Sequence, residues 1–157
     1  MDREDNPVLF YEGTFYCFSN FASFAVFWRG EWWMTSEHAY QAAKFDDPTI
    51  RAKIREAKSA HDAKVIAHTY DSQKRPNRDK EKIPVMEDIT WAKLMQHSFI
   101  QKQLLQTNGR YMIEDSPKDA FWGRGPDHKG RNELGKIWMR HYIRLRSGQI
   151  YKPTAPH

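Results

Sequence analysis

A single cysteine, Cys17, stands in 157 residues. No disulfide can form within the chain, and a cysteine-based zinc site is excluded. A reducing compartment is the natural expectation. No long uncharged apolar run occurs, and residues 1–7 are acidic and polar, so neither a membrane span nor a signal peptide is expected. The chain reads as cytoplasmic, with no membrane partner. Gly123, Gly125 and Gly130 do not fit G-x-G-x-x-G, and no Walker A motif is present. The seven histidines form no H-E-x-x-H pair, and no G-x-S-x-G elbow exists. No metal and no cofactor is therefore expected. Internal repeats and low-complexity tracts are absent as well.

Aromatic residues, by contrast, are plentiful: six Trp, nine Phe and seven Tyr make 14% of the chain. Such side chains either build a core around few aliphatics or line a pocket that stacks planar ligands. The 25 basic and 20 acidic residues leave a net charge of +5. That balance suits an anionic substrate or nucleic acid, and equally a merely soluble surface. The length fits one domain over residues 1–157, large enough for a core without staples.

Residues 9–34 are rich in aromatics, and Phe24–Trp28 and Glu31–Met34 flank Arg29-Gly30 as a short hairpin. A capped helix follows over Ser36 to Phe45, and Pro48 opens another to about Ala57. Ser59 or His61 starts a third. Residues 71–82 are charged, contain proline and lack periodicity, which predicts a solvated connector or a mobile lid. Helical spacing returns from Pro84 to about Phe99 and again over Ile100–Gln106. Tyr111–Ile113 reads as a strand. Residues 121–135 read as a glycine-rich loop, Asn132–Arg146 as a helix with Leu134, Ile137, Trp138, Tyr142 and Leu145 inward, and 147–157 as a frayed tail. The balance is α+β, predominantly helical, with a small N-terminal aromatic-rich β component.

The helix SEHAYQAAKF concentrates unusual chemistry. Glu37, Tyr40, Gln41 and Lys44 fall on one stripe at 3.6 residues per turn, while Ala39, Ala42 and Ala43 leave the other side thin. Thr35 or Ser36 can cap it, and Glu37 sits in the first turn where the dipole favours a carboxylate. A capped amphipathic scaffold explains the segment as well as a site does. Downstream, Arg124, Lys129 and Arg131 lie on the loop running into a helix N-terminus near Asn132. Cations, backbone N–H groups and the dipole together would cradle a phosphate. Asp119 precedes Phe121-Trp122-Gly123, as a turn residue or as a carboxylate beside a stacking surface. Cys17 suits a buried structural thiol better than a nucleophile.

Taken in order, these segments resemble the YbiA-like family, also called NADAR (NAD- and ADP-ribose-associated). The matching strings are Phe18-Ser19-Asn20-Phe21, then Trp33 leading into residues 35–45, Val85-Met86, Gln96-His97, Leu104-Leu105, Asp119-Ala120-Phe121-Trp122-Gly123 and residues 129–139. They span about 10–146 in a single domain. The resemblance implies a mostly helical N-glycosidase with no metal requirement. It would cleave the bond between ribose C1′ and a nitrogen, in ADP-ribosylated guanine of nucleic acid or in a phosphorylated ribosylamino-pyrimidine of riboflavin synthesis. The basic charge favours the former partner. A non-catalytic ADP-ribose reader is the rival reading.

The family's catalytic glutamate falls on Glu37 and its second acid on Asp119. Glu37 would stabilise an oxocarbenium-like sugar or deprotonate the water, and Asp119 would orient the ribose hydroxyls or share the base role. Phe18, Phe21 and Trp122 would sandwich the base. Lys44, Arg124, Lys129 and Arg131 would hold phosphates, with Ser19, Asn20, Gly123 and Asn132 lining the substrate. Family members often carry a stacking tryptophan where this chain has Arg78. A guanidinium can stack too, while adding charge.

Overall fold

The computed structural model describes residues 6–153. Its described residues form two compact units, one from residues 6–19 and 97–150, the other from 20–96 and 151–153. The architecture is α+β and mainly helical. Among the described residues no helix is long and apolar enough to cross a membrane.

In the first unit, strand β1 (Val8–Phe10) pairs in parallel with β4 (Met112–Glu114). This pairing of distant segments had no counterpart in the local sequence pattern. Helix α6 (Glu133–Arg146) packs against β4, and α5 (Ser98–Gln106) against α6. Phe18 ends a 3-10 turn over Gly13–Phe18. It packs edge-on to Phe10 (5.9 Å between centroids) and tilted against Trp138 (5.0 Å), whose indole N–H donates to the Phe18 carbonyl. Cys17 is buried in the same turn. On α6 the inward residues are Leu134, Ile137, Trp138 and His141, whereas Tyr142 and Leu145 are only half-buried.

In the second unit, β2 (Val26–Trp28) and β3 (Glu31–Trp33) form the expected antiparallel hairpin. Arg29 and Gly30 both take positive φ (51° and 83°), the backbone twist that a two-residue hairpin turn needs. Gln96 closes the outer edge of β2, donating to the Phe27 carbonyl and accepting from its N–H. Helix α1 (Ser36–Ala42) is surrounded by α2 (Pro48–Arg55), α3 (Ala60–Thr69), α4 (Arg78–Gln96) and the hairpin. Thr35, Asp47 and Ser59 cap α1, α2 and α3 with side-chain oxygens.

Two expectations need correction here. Residues 78–82 are not connector but the first turns of α4, which carries Pro84 inside it. Asn77, at φ 62°, reverses the chain, and its carbonyl accepts from both Lys80 and Glu81 N–H. Charge on an exposed first turn hid the helix. Nor does the tail fray at once: the Tyr151 hydroxyl donates to Asp88 at 3.3 Å. Residues 154–157 of that tail lie outside the described residues.

Candidate active site

Helix α1 is buried on every side, its polar stripe included. Glu37 is 6% exposed, Tyr40 5% and Gln41 3%. An amphipathic scaffold helix would turn that stripe to water. Burial of a carboxylate and a carboxamide demands partners instead.

The N-terminus of the helix is fixed by two side chains. The Asn20 carbonyl accepts from Glu37 N–H at 3.1 Å, its Oδ1 accepts from the Ser36 hydroxyl at 3.0 Å, and its amide donates to the Met86 sulfur. His38, fully buried, bridges the Ala57 carbonyl (Nε2, 3.0 Å) and the Thr35 hydroxyl (Nδ1, 2.7 Å). A carbonyl only accepts, so Nε2 carries the proton and Thr35 donates to Nδ1. Burial lowers the His38 pKa, which keeps the ring neutral in this role. His38 is therefore a clamp, and the Glu37 backbone is tied to Asn20.

Along the stripe, Gln41 Nε2 donates to Glu37 Oε1 at 2.7 Å, and Gln41 Oε1 is buried with no protein partner. Lys44 lies 5.2 Å from the Tyr40 ring centroid. Burial pushes its pKa down to about 8, and neighbouring Arg78 adds to that, while Glu37 opposes it. Arg78 donates from Nη2 to the Tyr40 hydroxyl at 2.8 Å, and from Nη1 to Asp79. Its guanidinium sits 5.5 Å from the Tyr40 centroid, and its buried Nε has no partner in the protein. A narrow crevice runs between Tyr40, Lys44, Arg78, Glu81, Lys82 and Val85. A carboxylate, two cations and unspent hydrogen-bonding atoms thus gather along one side of α1. Tyr40 and Gln41 lay on the predicted stripe, but their part in the site was not foreseen. Phe21 of the same unit is 37% exposed.

In the first unit, residues 114–134 are organised differently. Asp119 Oδ1 accepts from the N–H groups of Phe121 and Trp122 at 2.9 and 2.8 Å, tying the turn. Gly130 through Leu134 donate their N–H groups to the carbonyls of Arg124, Ala120, Gly123, Phe121 and Trp122 respectively. Those amides are spent, so an anion there would meet side chains rather than backbone. Arg124 pairs with Asp115 at 2.6 Å and Arg131 with Glu133 at 3.0 Å. Lys129 is exposed. Asn132, at φ 54°, accepts from Glu114 N–H and donates to the Met112 carbonyl, joining β4 to α6. A Cβ on Gly130 would lie 2.6 Å from the Gly123 carbonyl oxygen, and one on Gly123 2.5 Å from Glu114 Oε2. The segment is a tight knot rather than a flexible loop. Trp122 is half-buried and edge-on to Phe121. Ser19 is buried, and its N–H donates to the Tyr16 carbonyl. Phe18 is fully buried in the aromatic core and offers no open face for a base.

Known proteins agree with this architecture. The chain is 37% identical over 137 residues to the riboflavin biosynthesis protein VVA0006 of Vibrio vulnificus, and spans 37% of that protein's length. It is 37% identical over 122 residues to the N-glycosidase YbiA of Escherichia coli, covering 78% of this chain and 76% of that one. The solution structure of E. coli YbiA superposes with a TM-score of 0.85 at 32% identity, over 98% of this chain and 93% of that one. The NADAR domain profile matches residues 9–146, and the chain belongs to that family.

Proposed function

We propose that the chain is an N-glycosidase that hydrolyses the bond between ribose C1′ and a base nitrogen, with Glu37 as the reacting carboxylate. The observation that carries this reading is a carboxylate, 6% exposed and held by Gln41 at 2.7 Å, in electrostatic contact with Lys44, which Arg78 neighbours in turn. N-glycoside cleavage builds positive charge on the sugar, which a fixed carboxylate stabilises. Glu37 serves the cation or takes a proton from the attacking water. Lys44 and Arg78 balance its charge and meet the substrate's phosphate. Arg78 also offers its guanidinium plane where a stacking tryptophan would otherwise stand. Asp119, whose Oδ1 is already shared between two amides, suits positioning of the Phe121–Trp122 turn.

Two substrates fit this chemistry. The riboflavin-biosynthesis name of one relative favours a phosphorylated ribosylamino-pyrimidine. The net charge of +5 supports an ADP-ribosylated guanine in nucleic acid. Incubating the full chain separately with each substrate decides between them. Released ribose phosphate with little dependence on salt marks the small substrate. Released ADP-ribose with affinity falling steeply as salt rises marks the polymer. Tight binding of ADP-ribose without release from either substrate would replace the enzyme with a reader.

A further inference from the structure

Gln41 is the buried group that this chemistry leaves unexplained. It is 3% exposed, its Nε2 donates to Glu37 Oε1 at 2.7 Å, and its Oε1 meets no protein donor. Rotating the carboxamide would not cure this. It would turn oxygen towards carboxylate oxygen, so the partner fixes which end faces Glu37. A buried acceptor without a donor costs free energy in the unliganded protein, and a bound donor recovers it. An O–H or N–H of a bound ligand would supply the missing donor.

We infer that Gln41 reads the ribose 2′-hydroxyl, accepting its hydrogen on Oε1 while its Nε2 holds Glu37. This rests on the N-glycosidase reading. If Glu37 faces C1′, the sugar donor nearest its hydrogen-bonded neighbour is the hydroxyl on the adjoining carbon. One carboxamide then couples sugar recognition to the reacting carboxylate. A 2′-deoxyribosyl substrate leaves Oε1 unpaired and is discriminated against at this residue.

The test is a cycle of two proteins and two substrates: wild type and Gln41→Met, each with whichever ribosyl substrate wild type hydrolyses and with its 2′-deoxyribosyl counterpart. The intrinsic lability of deoxyribosides cancels between the two proteins. The ratio of kcat/KM values, ribosyl over deoxyribosyl, should fall roughly 10- to 100-fold in Gln41→Met. An unchanged ratio, with both substrates slowed equally, overturns the inference: Gln41 would then only orient Glu37 or the attacking water. Gln41→Glu, which keeps an oxygen acceptor but loses the donor to Glu37, guards against misfolding of the first variant. It should keep the ribosyl preference while losing overall rate, and loss of the preference overturns the inference as well. If wild type hydrolyses neither ribosyl substrate, the N-glycosidase reading itself falls and this one with it.

Discussion

The stripe on α1 and the knot at residues 114–134 are both dense in buried polar groups, yet they use them in opposite ways. In the knot the backbone is largely paired internally: five successive amides bond to five carbonyls, and Asn132 spends both ends of its side chain. On α1 the Gln41 Oε1 is buried and unspent, as is Arg78 Nε at the start of α4, and Lys44, just past the end of α1, is held with its pKa pushed down to about 8. Polarity paired within the protein builds structure, whereas buried groups without a protein partner can serve a ligand. Glycines and cations alone did not distinguish the two.

That contrast can be attacked at both ends. The largest effect is expected from Glu37→Gln, which should cost ~10²–10⁴-fold in hydrolysis with secondary structure intact by circular dichroism. Next comes Asn132→Ala. It leaves the Glu114 N–H and the Met112 carbonyl without partners, so a denaturant titration should show a loss of about 1–3 kcal/mol for each orphaned group. A smaller effect concerns pH. The Lys44 ammonium is present below its pKa of about 8 and lost above it. Affinity for the substrate phosphate should therefore fall as pH rises through 8, and Lys44→Met should flatten that fall in an inhibition assay with inorganic phosphate. The least effect is expected from Arg131→Ala. Its pairing with Glu133 is exposed on the arginine side and should shift the melting free energy by less than about 1 kcal/mol.

The sequence was most legible where the signal was local. Thr35, the Arg29-Gly30 turn and the 3.6-residue stripe each announce their own geometry, and the hairpin and α1 followed. The β1–β4 pairing joins segments about a hundred residues apart, and no local pattern encodes it. The first turns of α4 were masked because an exposed helix start is charged and here contains Pro84. At the site, Glu37 and Lys44 were visible as residue types on a shared face. The burial of that face was not, because it depends on α2, α3 and α4 closing around it. Phe18 and Asn132 misled for a related reason: an aromatic or an amide in a motif says nothing of whether its faces are already occupied.

The central claim is that α1 does the chemistry while the knot holds the shape. Turnover per folded molecule, measured for Glu37→Gln and Asn132→Ala on the substrate that wild type hydrolyses, tests it most directly. The account predicts that Glu37→Gln is folded but slowed ~10²–10⁴-fold, and that Asn132→Ala is less stable while its folded fraction works like wild type. Full turnover from folded Glu37→Gln, with chemistry lost instead from the folded fraction of Asn132→Ala, would contradict it.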